Sequence, residues 1–195
     1  TLNGGESVGL NGIINAGESV VLSFETDNGL DNSVFFNVYS FNPDRYIPRS
    51  FNGDDAIVLY QGHASGSGED ALIQDQYGMI GVDGTGESWE YKDGFSYRLS
   101  NTPNYGGFEE ENWLIGGRGS LEDLDGEALG DRMRDLTNPG SFTDILGLLI
   151  SEVVDGTLTE GQPKWVELTN TGEISLDLSE WSIGFFNNGS STLTG

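Results

Sequence analysis

Apolar and polar residues alternate with a period of two along much of the chain. In one such segment Trp165, Glu167 and Thr169 fall on one side, while Val166 and Leu168 fall on the other, which predicts a half-buried antiparallel strand. Comparable short runs rich in β-branched and aromatic residues recur between turns. They predict strands at Ser19–Phe24, Val34–Phe41, Ala56–Tyr60, Ser88–Tyr91, Phe95–Leu99, Lys164–Leu168 and Trp181–Phe186.

Glycine separates these runs. The chain contains 30 glycines, and Asn-Gly or Asp-Gly pairs begin at positions 3, 11, 28, 52, 83, 93, 125, 155 and 188. Such pairs supply the positive φ angles that tight hairpin turns require. Many short strands separated by turns at this spacing predict a β-sandwich rather than a parallel α/β fold.

Two segments depart from the strand pattern. Residues Leu121–Leu136 carry a helical stripe that Gly126 and Gly130 interrupt, so we expect one or two short helical turns there. A Pro-Gly pair then marks a boundary before the next apolar run. The expected organisation is a front block of residues 1–140, a linker of residues 141–148 and a C-terminal block of residues 149–195.

Composition limits the number of domains and the available metal chemistry. A chain of 195 residues with 35% hydrophobic and 11% aromatic residues can bury one substantial core, and we expect one domain with insertions. No cysteine is present, which excludes disulfides and thiolate metal sites. No run approaches the ~18 apolar residues of a membrane helix, so we expect no membrane insertion.

The charge is strongly negative, with 32 acidic residues, 8 basic residues and a formal net charge of -24. Binding of nucleic acid relies on Lys and Arg displacing counterions, so we expect no nucleic-acid partner. Two interpretations of the acidity stay open. Either it is a solvated surface suited to salty surroundings or to solubility outside a cell, or some carboxylates meet in loops to hold Ca²⁺, which prefers oxygen ligands.

Two acidic turns are the candidate Ca²⁺ sites, and no other cofactor is expected. Asp54 and Asp55 follow Asn52-Gly53 and lead directly into a predicted strand, which also fits an Asx-type turn that only holds the backbone. Asp123 and Asp125 precede a glycine that comes too early for an EF-hand loop. For these turns a structural role and a Ca²⁺-binding role both stay open.

No catalytic constellation stands out. His63 is the only histidine and lies in a Gly/Ser-rich turn, whereas a catalytic triad or a zinc site needs several convergent groups. The glycine-rich segment Gly81–Gly86 lacks the Lys of a phosphate loop. Because acidic residues are so frequent, carboxylates that are close in sequence do not identify a glycosidase. We therefore expect the protein not to be an enzyme.

Three blocks near the C-terminus carry a family resemblance: Ile150–Val153, Trp165–Asn170 and Leu176–Trp181. They resemble the opening strands of the lamin-tail domain, an immunoglobulin-like β-sandwich. Segments that lie upstream resemble the later strands of the bacterial branch of the same family, and the block Trp89–Arg98 is the most specific of them. The upstream segments are residues 11–24, 52–60, 79–98 and 112–117. The order of the blocks is therefore rotated.

The resemblance implies an all-β fold, an immunoglobulin-like antiparallel β-sandwich of lamin-tail type that is circularly permuted or strand-exchanged. Residues 148–195 either complete the sandwich of their own chain or complete that of a neighbouring subunit. A head-to-tail exchange that does not close into a ring builds a filament. In both topologies burial of large apolar side chains stabilises the interface between the blocks. The expected interface residues are Leu168, Leu178, Trp181, Ile183 and Phe185.

Lamin-tail domains are interaction modules, so the resemblance implies self-association or binding to other protein subunits. The expected function is that of a non-catalytic extracellular or cell-surface structural protein, a subunit of a filament or sheath assembled by β-strand exchange. The alternative is an accessory domain of a secreted nuclease or other hydrolase whose catalytic domain lies outside this chain. Carbohydrate binding through exposed Trp and Tyr faces stays open as well.

Overall fold

The computed structural model describes residues 5–25, 33–47, 51–62, 71–99, 102–122, 126–140 and 147–194. The strands are β1 (Gly5–Gly9), β2 (Ile13–Ile14), β3 (Ser19–Ser23), β4 (Arg45–Tyr46), β5 (Ala56–Gln61), β6 (Leu72–Tyr77), β7 (Phe95–Arg98), β8 (Trp113–Ile115), β9 (Leu148–Asp155), β10 (Lys164–Asn170), β11 (Leu176–Asp177), β12 (Trp181–Phe186) and β13 (Leu193–Thr194). The α-helices are α1 (Val34–Tyr39) and α2 (Gly126–Leu136). Short 3-10 helices span Glu110–Asn112, Thr159–Gly161, Leu178–Glu180 and Asn187–Gly189.

The strands form two large sheets and one small one. The order in the five-stranded sheet is β13-β1-β12-β5-β6, and the order in the six-stranded sheet is β4-β3-β10-β9-β7-β8. The third sheet is the pair β11-β2. Neighbouring strands are antiparallel except for β1 with β13 and β3 with β4. The predicted all-β class with antiparallel sheets is therefore confirmed.

A first apolar core contains side chains from both large sheets. The five-stranded sheet contributes Ile57 and Ile183, and the six-stranded sheet contributes Leu22, Ile150 and Val166. On β10 the residues that point into this core alternate with residues that point away from it. The alternation predicted for that strand is thus confirmed.

A second apolar core covers the outer face of the six-stranded sheet. Phe35 and Val38 of α1 and Leu129 and Met133 of α2 pack there with Trp165 of β10. The outward-facing side chains of β10 are consequently buried too. The expectation that this strand is half-buried is wrong, because two helices from distant parts of the sequence cover its second face.

The strand predicted at Val34–Phe41 is also wrong, because six of its residues form α1. The hydroxyl of Ser33 caps this helix by accepting a hydrogen bond from Phe36 N at 2.9 Å. The carboxylate of Glu25 accepts two more from backbone N–H groups of the first turn, at 2.7 and 2.8 Å. Since these N–H groups have no partner inside a helix, the two side chains stabilise the helical start of a run that also suits a strand.

Five of the remaining predicted strands are present in the structure and one is not. Strands lie where they are predicted near residues 19, 56, 95, 164 and 181. The predicted strand at Ser88–Tyr91 is wrong, because this segment forms a turn and irregular structure in which Trp89 and Tyr91 are both buried. A helix forms within Leu121–Leu136 as expected, but α2 is longer than the one or two short turns predicted, because it spans Gly126–Leu136 and continues through Gly130.

The C-terminal block contributes strands to both large sheets of the same chain. In the six-stranded sheet, β10 pairs with β3 and β9 pairs with β7. In the five-stranded sheet, β12 lies between β1 and β5. The two ends of the described chain are neighbours, since Gly5 on β1 is the register partner of Leu193 on β13. Most of the expected linker, residues 141–146, lies outside the described residues.

Candidate functional site

The two turns that stood out in the sequence meet at one buried carboxylate, Asp155 at the end of β9. Its Oδ2 accepts hydrogen bonds from Gly53 N and Asp93 N, each at 3.0 Å. Its Oδ1 forms an ion pair with the Lys164 ammonium group. Tyr91 N also donates to Gly53 O at 2.8 Å. Asp155 therefore joins the Asn52–Asp55 turn to the turn of the Trp89–Arg98 block.

Asp55 has a backbone-holding role in this structure. Its Oδ2 accepts a hydrogen bond from Asn52 N at 2.8 Å, and its Oδ1 accepts one from Asn188 N at 2.9 Å. Burial raises the pKa of Asp55 to about 6, although the two hydrogen bonds oppose the shift. The carboxylate thus ties the turn to the segment that follows β12.

Among the described residues, Asp54 has hydrogen-bond partners on only one of its two carboxylate oxygens, whereas Asp55 has a partner on each. Its Oδ2 accepts hydrogen bonds from Asn52 Nδ2 at 3.1 Å and from Thr85 Oγ1 at 3.2 Å. Its buried Oδ1 has no hydrogen-bond partner among the described residues. Burial raises the pKa of Asp54, and the charges of Asp83 and Glu90 raise it further. We call Asp54, Asp55, Asp83 and Glu90 the acidic corner.

The acidic corner does not form a metal centre of three or more side chains. Within the described residues, no group of at least three His, Cys, Asp or Glu side chains is arranged to hold a metal ion. The second candidate pair, Asp123 and Asp125, lies outside the described residues, as does His63. Calcium binding at Asp54 and Asp55 stays a prediction.

Replacement of Gly53 by Ala is expected to lower the free energy of unfolding by about 2–3 kcal/mol through overpacking. A Cβ atom at this position would clash with the backbone of Tyr91 and Lys92, which are fixed by the bond to Gly53 O. Urea denaturation measures the change. Gly106 is the matched control, since a Cβ there meets no atom within 4 Å. Equal stability of the two variants would contradict the close approach of the turns.

The residues predicted to form the interface between the blocks are all buried together. Each of them belongs to the first apolar core. The ring of Phe185 lies 4.8 Å from that of Phe24 and 5.5 Å from that of Phe51, centroid to centroid. The front block therefore provides the other half of this apolar contact. The complete set is Leu168, Leu178, Trp181, Ile183 and Phe185.

A buried ion pair joins the two large sheets, and only half of it was visible in the sequence. Arg98 of β7 is the last residue of the Trp89–Arg98 block, and its Nη2 contacts both carboxylate oxygens of Asp75 on β6, at 2.6 and 2.5 Å. Arg98 Nε donates to Ile150 O at 2.8 Å, and the guanidinium lies 4.4 Å from the centre of the Trp113 ring. Asp75 was missed because residues 72–77 were not predicted as a strand.

One open cavity of about 350 Å³ lies at the edge of the first core. Leu10, Val20, Leu22 and Leu178 line it with apolar surface. Arg45 lies at the cavity and donates from Nη1 to Gly9 O at 2.9 Å. The lining is mixed, because Asn11, Asp44 and Arg45 add polar groups to the apolar side chains.

The tryptophan and tyrosine side chains differ in solvent exposure, which contact with a ligand requires. All four tryptophans are buried, so their faces are not open to a sugar ring. Tyr105 is exposed. Carbohydrate binding through a tyrosine face stays a prediction.

Comparison of the chain with models of known protein families, with curated proteins and with solved structures finds no match. Among the described residues, no helix has the length and apolar character needed to cross a membrane. Any functional argument therefore rests on the geometry of this chain.

Proposed function

We propose that the protein is a non-catalytic structural protein of the cell exterior, a subunit of a filament or sheath that assembles by exchange of its C-terminal strands. In this proposal the fold is an immunoglobulin-like β-sandwich of lamin-tail type in permuted order. The partner of each subunit is another copy of the chain. Residues 148–194 of one subunit complete the sheets of the next one.

The central position of the C-terminal strands is the observation that carries the proposal. β9 and β10 lie in the middle of the six-stranded sheet, and β12 lies in the middle of the five-stranded sheet. When these strands leave their own sheets, the rest of the chain is left with unpaired strand edges and an exposed apolar face. The same strands of a second chain can pair with these edges and cover this face. Exchange of identical elements needs no new contact, so every pairing is kept between chains.

Two further observations support the permuted lamin-tail interpretation. The Asn52–Asp55 turn and the Trp89–Arg98 block, both singled out by the resemblance, are bonded together through Asp155. The N-terminal and C-terminal strands are neighbours in one sheet, since β1 pairs with β13. Closely spaced ends are the arrangement in which circular permutation is tolerated.

The exchange is tested with cysteines in a chain that has none of its own. Ser19 on β3 and Thr169 on β10 are register partners, and their hydroxyl oxygens are 2.6 Å apart. The single variants Ser19→Cys and Thr169→Cys are mixed, unfolded, refolded together at high concentration and oxidised. We expect a disulfide-linked dimer of the two variants on non-reducing gels, because β10 of one chain pairs with β3 of the other.

Two controls make the result decisive. The double variant Ser19→Cys/Thr169→Cys reports pairing within one chain by a disulfide that leaves the mass of a monomer. A mixture of Ser88→Cys and Ser179→Cys, at exposed positions, measures random collision. If the Ser19 and Thr169 variants cross-link no more than this mixture, exchange is refuted. The accessory-domain alternative then becomes the better explanation, because such a domain completes its own sheets.

A further inference from the structure

A pair of glutamates lies apart from the acidic corner, on the outer face of the six-stranded sheet. Glu152 of β9 and Glu167 of β10 are register partners. Register partners on antiparallel strands place their Cβ atoms about 4.5–5.5 Å apart on the same face. Both side chains are almost completely buried, with 4% and 1% of their surface exposed. Two carboxylates therefore occupy one enclosed space.

The hydrogen bonds of this pair leave part of it unsatisfied. Glu167 Oε1 accepts a bond from Ser151 Oγ at 2.6 Å, and Oε2 accepts one from Gly140 N. Glu152 Oε2 is 3.4 Å from Asn138 N, which is a long contact. Glu152 Oε1 is buried and has no hydrogen-bond partner among the described residues. A buried carboxylate oxygen without a partner is costly unless a positive charge or a donor reaches it.

The groups around the pair add to its negative potential. Within the described part of the chain, neither glutamate forms an ion pair with Lys or Arg. The C-terminal end of α2, which carries partial negative charge, lies two residues before Asn138 in the chain. Burial raises the pKa of both glutamates, and the charge of Asp44 raises that of Glu167 further. Arg134 of α2 binds Val38 O and Asp131.

We infer that Glu152 and Glu167 form a binding site for one divalent cation, for which Ca²⁺ has the best-matched chemistry. The two carboxylates offer four oxygens. The hydroxyls of Ser151 and Thr169, which are 2.8 Å apart and lie beside Glu167, offer two more. Ca²⁺ takes about six to eight oxygen ligands in flexible geometry, whereas Mg²⁺ demands a near-ideal octahedron. The ion also supplies the positive charge that this buried space lacks.

The site has a structural consequence for the chain. Asn138 and Gly140, which bond to the two glutamates through their backbone N–H groups, lie in the segment that leads from α2 to β9. A cation between the carboxylates removes their mutual repulsion and holds this segment on the sheet. This consequence does not depend on strand exchange.

Calorimetric titration of the whole protein with CaCl₂, at constant ionic strength and neutral pH, tests the inference. We expect about one Ca²⁺ per chain and a rise of the melting temperature with Ca²⁺ concentration. In Glu152→Gln and Glu167→Gln we expect binding to weaken by about tenfold or more, because the charge count of the ligands sets the affinity. Glu173→Gln, the same change at an exposed position, should bind like the wild type.

Tb³⁺ luminescence of the folded protein is a second measurement. It locates the ion without substitution of a residue that is proposed to bind it. Tb³⁺ replaces Ca²⁺ and emits when a nearby tryptophan is excited. Trp165 lies two residues from Glu167 on the same face of β10, about 7 Å along the strand. Trp89 lies beside the acidic corner, because a Cβ atom added at Gly84 would contact both the Trp89 ring and Asp54 O. We expect Trp165→Phe, and not Trp89→Phe, to remove most of the emission.

Three outcomes would overturn the inference. One is Ca²⁺ binding that persists in both glutamine variants and is lost in Asp54→Asn, which would place the ion at the acidic corner. Another is Tb³⁺ emission that depends on Trp89 alone. The third is no Ca²⁺ response in the wild type, and a stability that falls as the pH rises would then assign a proton to the glutamate pair.

Discussion

A chain that ends at Gly147 is expected to remain unfolded on its own. The truncation removes β9 and β10, so β3 and β7 lose their neighbours in the six-stranded sheet. It also removes β12 and β13, between which β1 lies. Because two-stranded remnants are marginally stable at best, no cooperative unit is left. Circular dichroism and thermal denaturation should show neither the strand signal nor the unfolding transition of the intact protein.

The missing strands are expected to restore the fold when they are added as a separate fragment. Residues 148–195 carry the same pairing edges and apolar side chains whether or not a peptide bond joins them to the front block. A mixture of the two fragments should regain the unfolding transition, at a midpoint that depends on concentration. A chain ending at Ser191, which loses only β13, is the milder control and should fold. A folded, soluble monomer of residues 1–147 would refute the proposed dependence on these strands and the exchange mechanism with it.

Replacement of Arg98 by Met is expected to lower the free energy of unfolding by about 3–5 kcal/mol at neutral pH, the range for breaking a buried ion pair. Methionine fills much of the space of the arginine stem but leaves the Asp75 carboxylate buried and unpaired. Arg98 and Asp75 side chains are both fully buried, so water does not screen the loss. Urea denaturation of both proteins measures it.

The loss in Arg98→Met should depend on pH. Burial raises the pKa of Asp75, and the Arg98 charge opposes this shift, so the variant raises the folded-state pKa further. A carboxyl group whose pKa is higher in the folded than in the unfolded state contributes stability at low pH, which is lost as the pH rises through the folded value. The deficit of the variant should therefore be smaller at acidic pH than at neutral pH.

Two further variants separate the ion pair from general effects. The double variant Asp75→Leu/Arg98→Met removes both charges and should recover part of the stability, although Ile150 N and Asn104 N lose their acceptor. Arg134→Met breaks an exposed ion pair with Asp131 and a partly buried hydrogen bond to Val38 O, and should cost about 1 kcal/mol, less than Arg98→Met. If Arg98→Met and Arg134→Met are equally stable, the buried pair does not hold the two sheets together.

The junction of two turns at Asp155 shows how far a single sequence leads toward a site. The Asn52–Asp55 turn and the Trp89–Arg98 block were both recognised as special from their residues. Their common acceptor, Asp155, was not, because it lies 102 residues from Gly53 in the chain. No local pattern links two residues at such a distance. Asp75 was missed as the partner of Arg98 for a different reason, because the strand that carries it, β6, was not predicted.

The sequence by itself determined the all-β class and most of the strands that carry a strong period of two, whereas not every Asn-Gly or Asp-Gly pair forms the expected turn, since Asp155 lies within β9. These features follow from local backbone sterics and from the alternation of side chains along a strand. Tertiary structure alone decided that Val34–Tyr39 is a helix, since α2 and Trp165 pack against it, and that Glu152 and Glu167 face each other in a buried space. Both outcomes depend on contacts between distant segments, whose energies outweigh local propensity and leave no periodic trace in the chain.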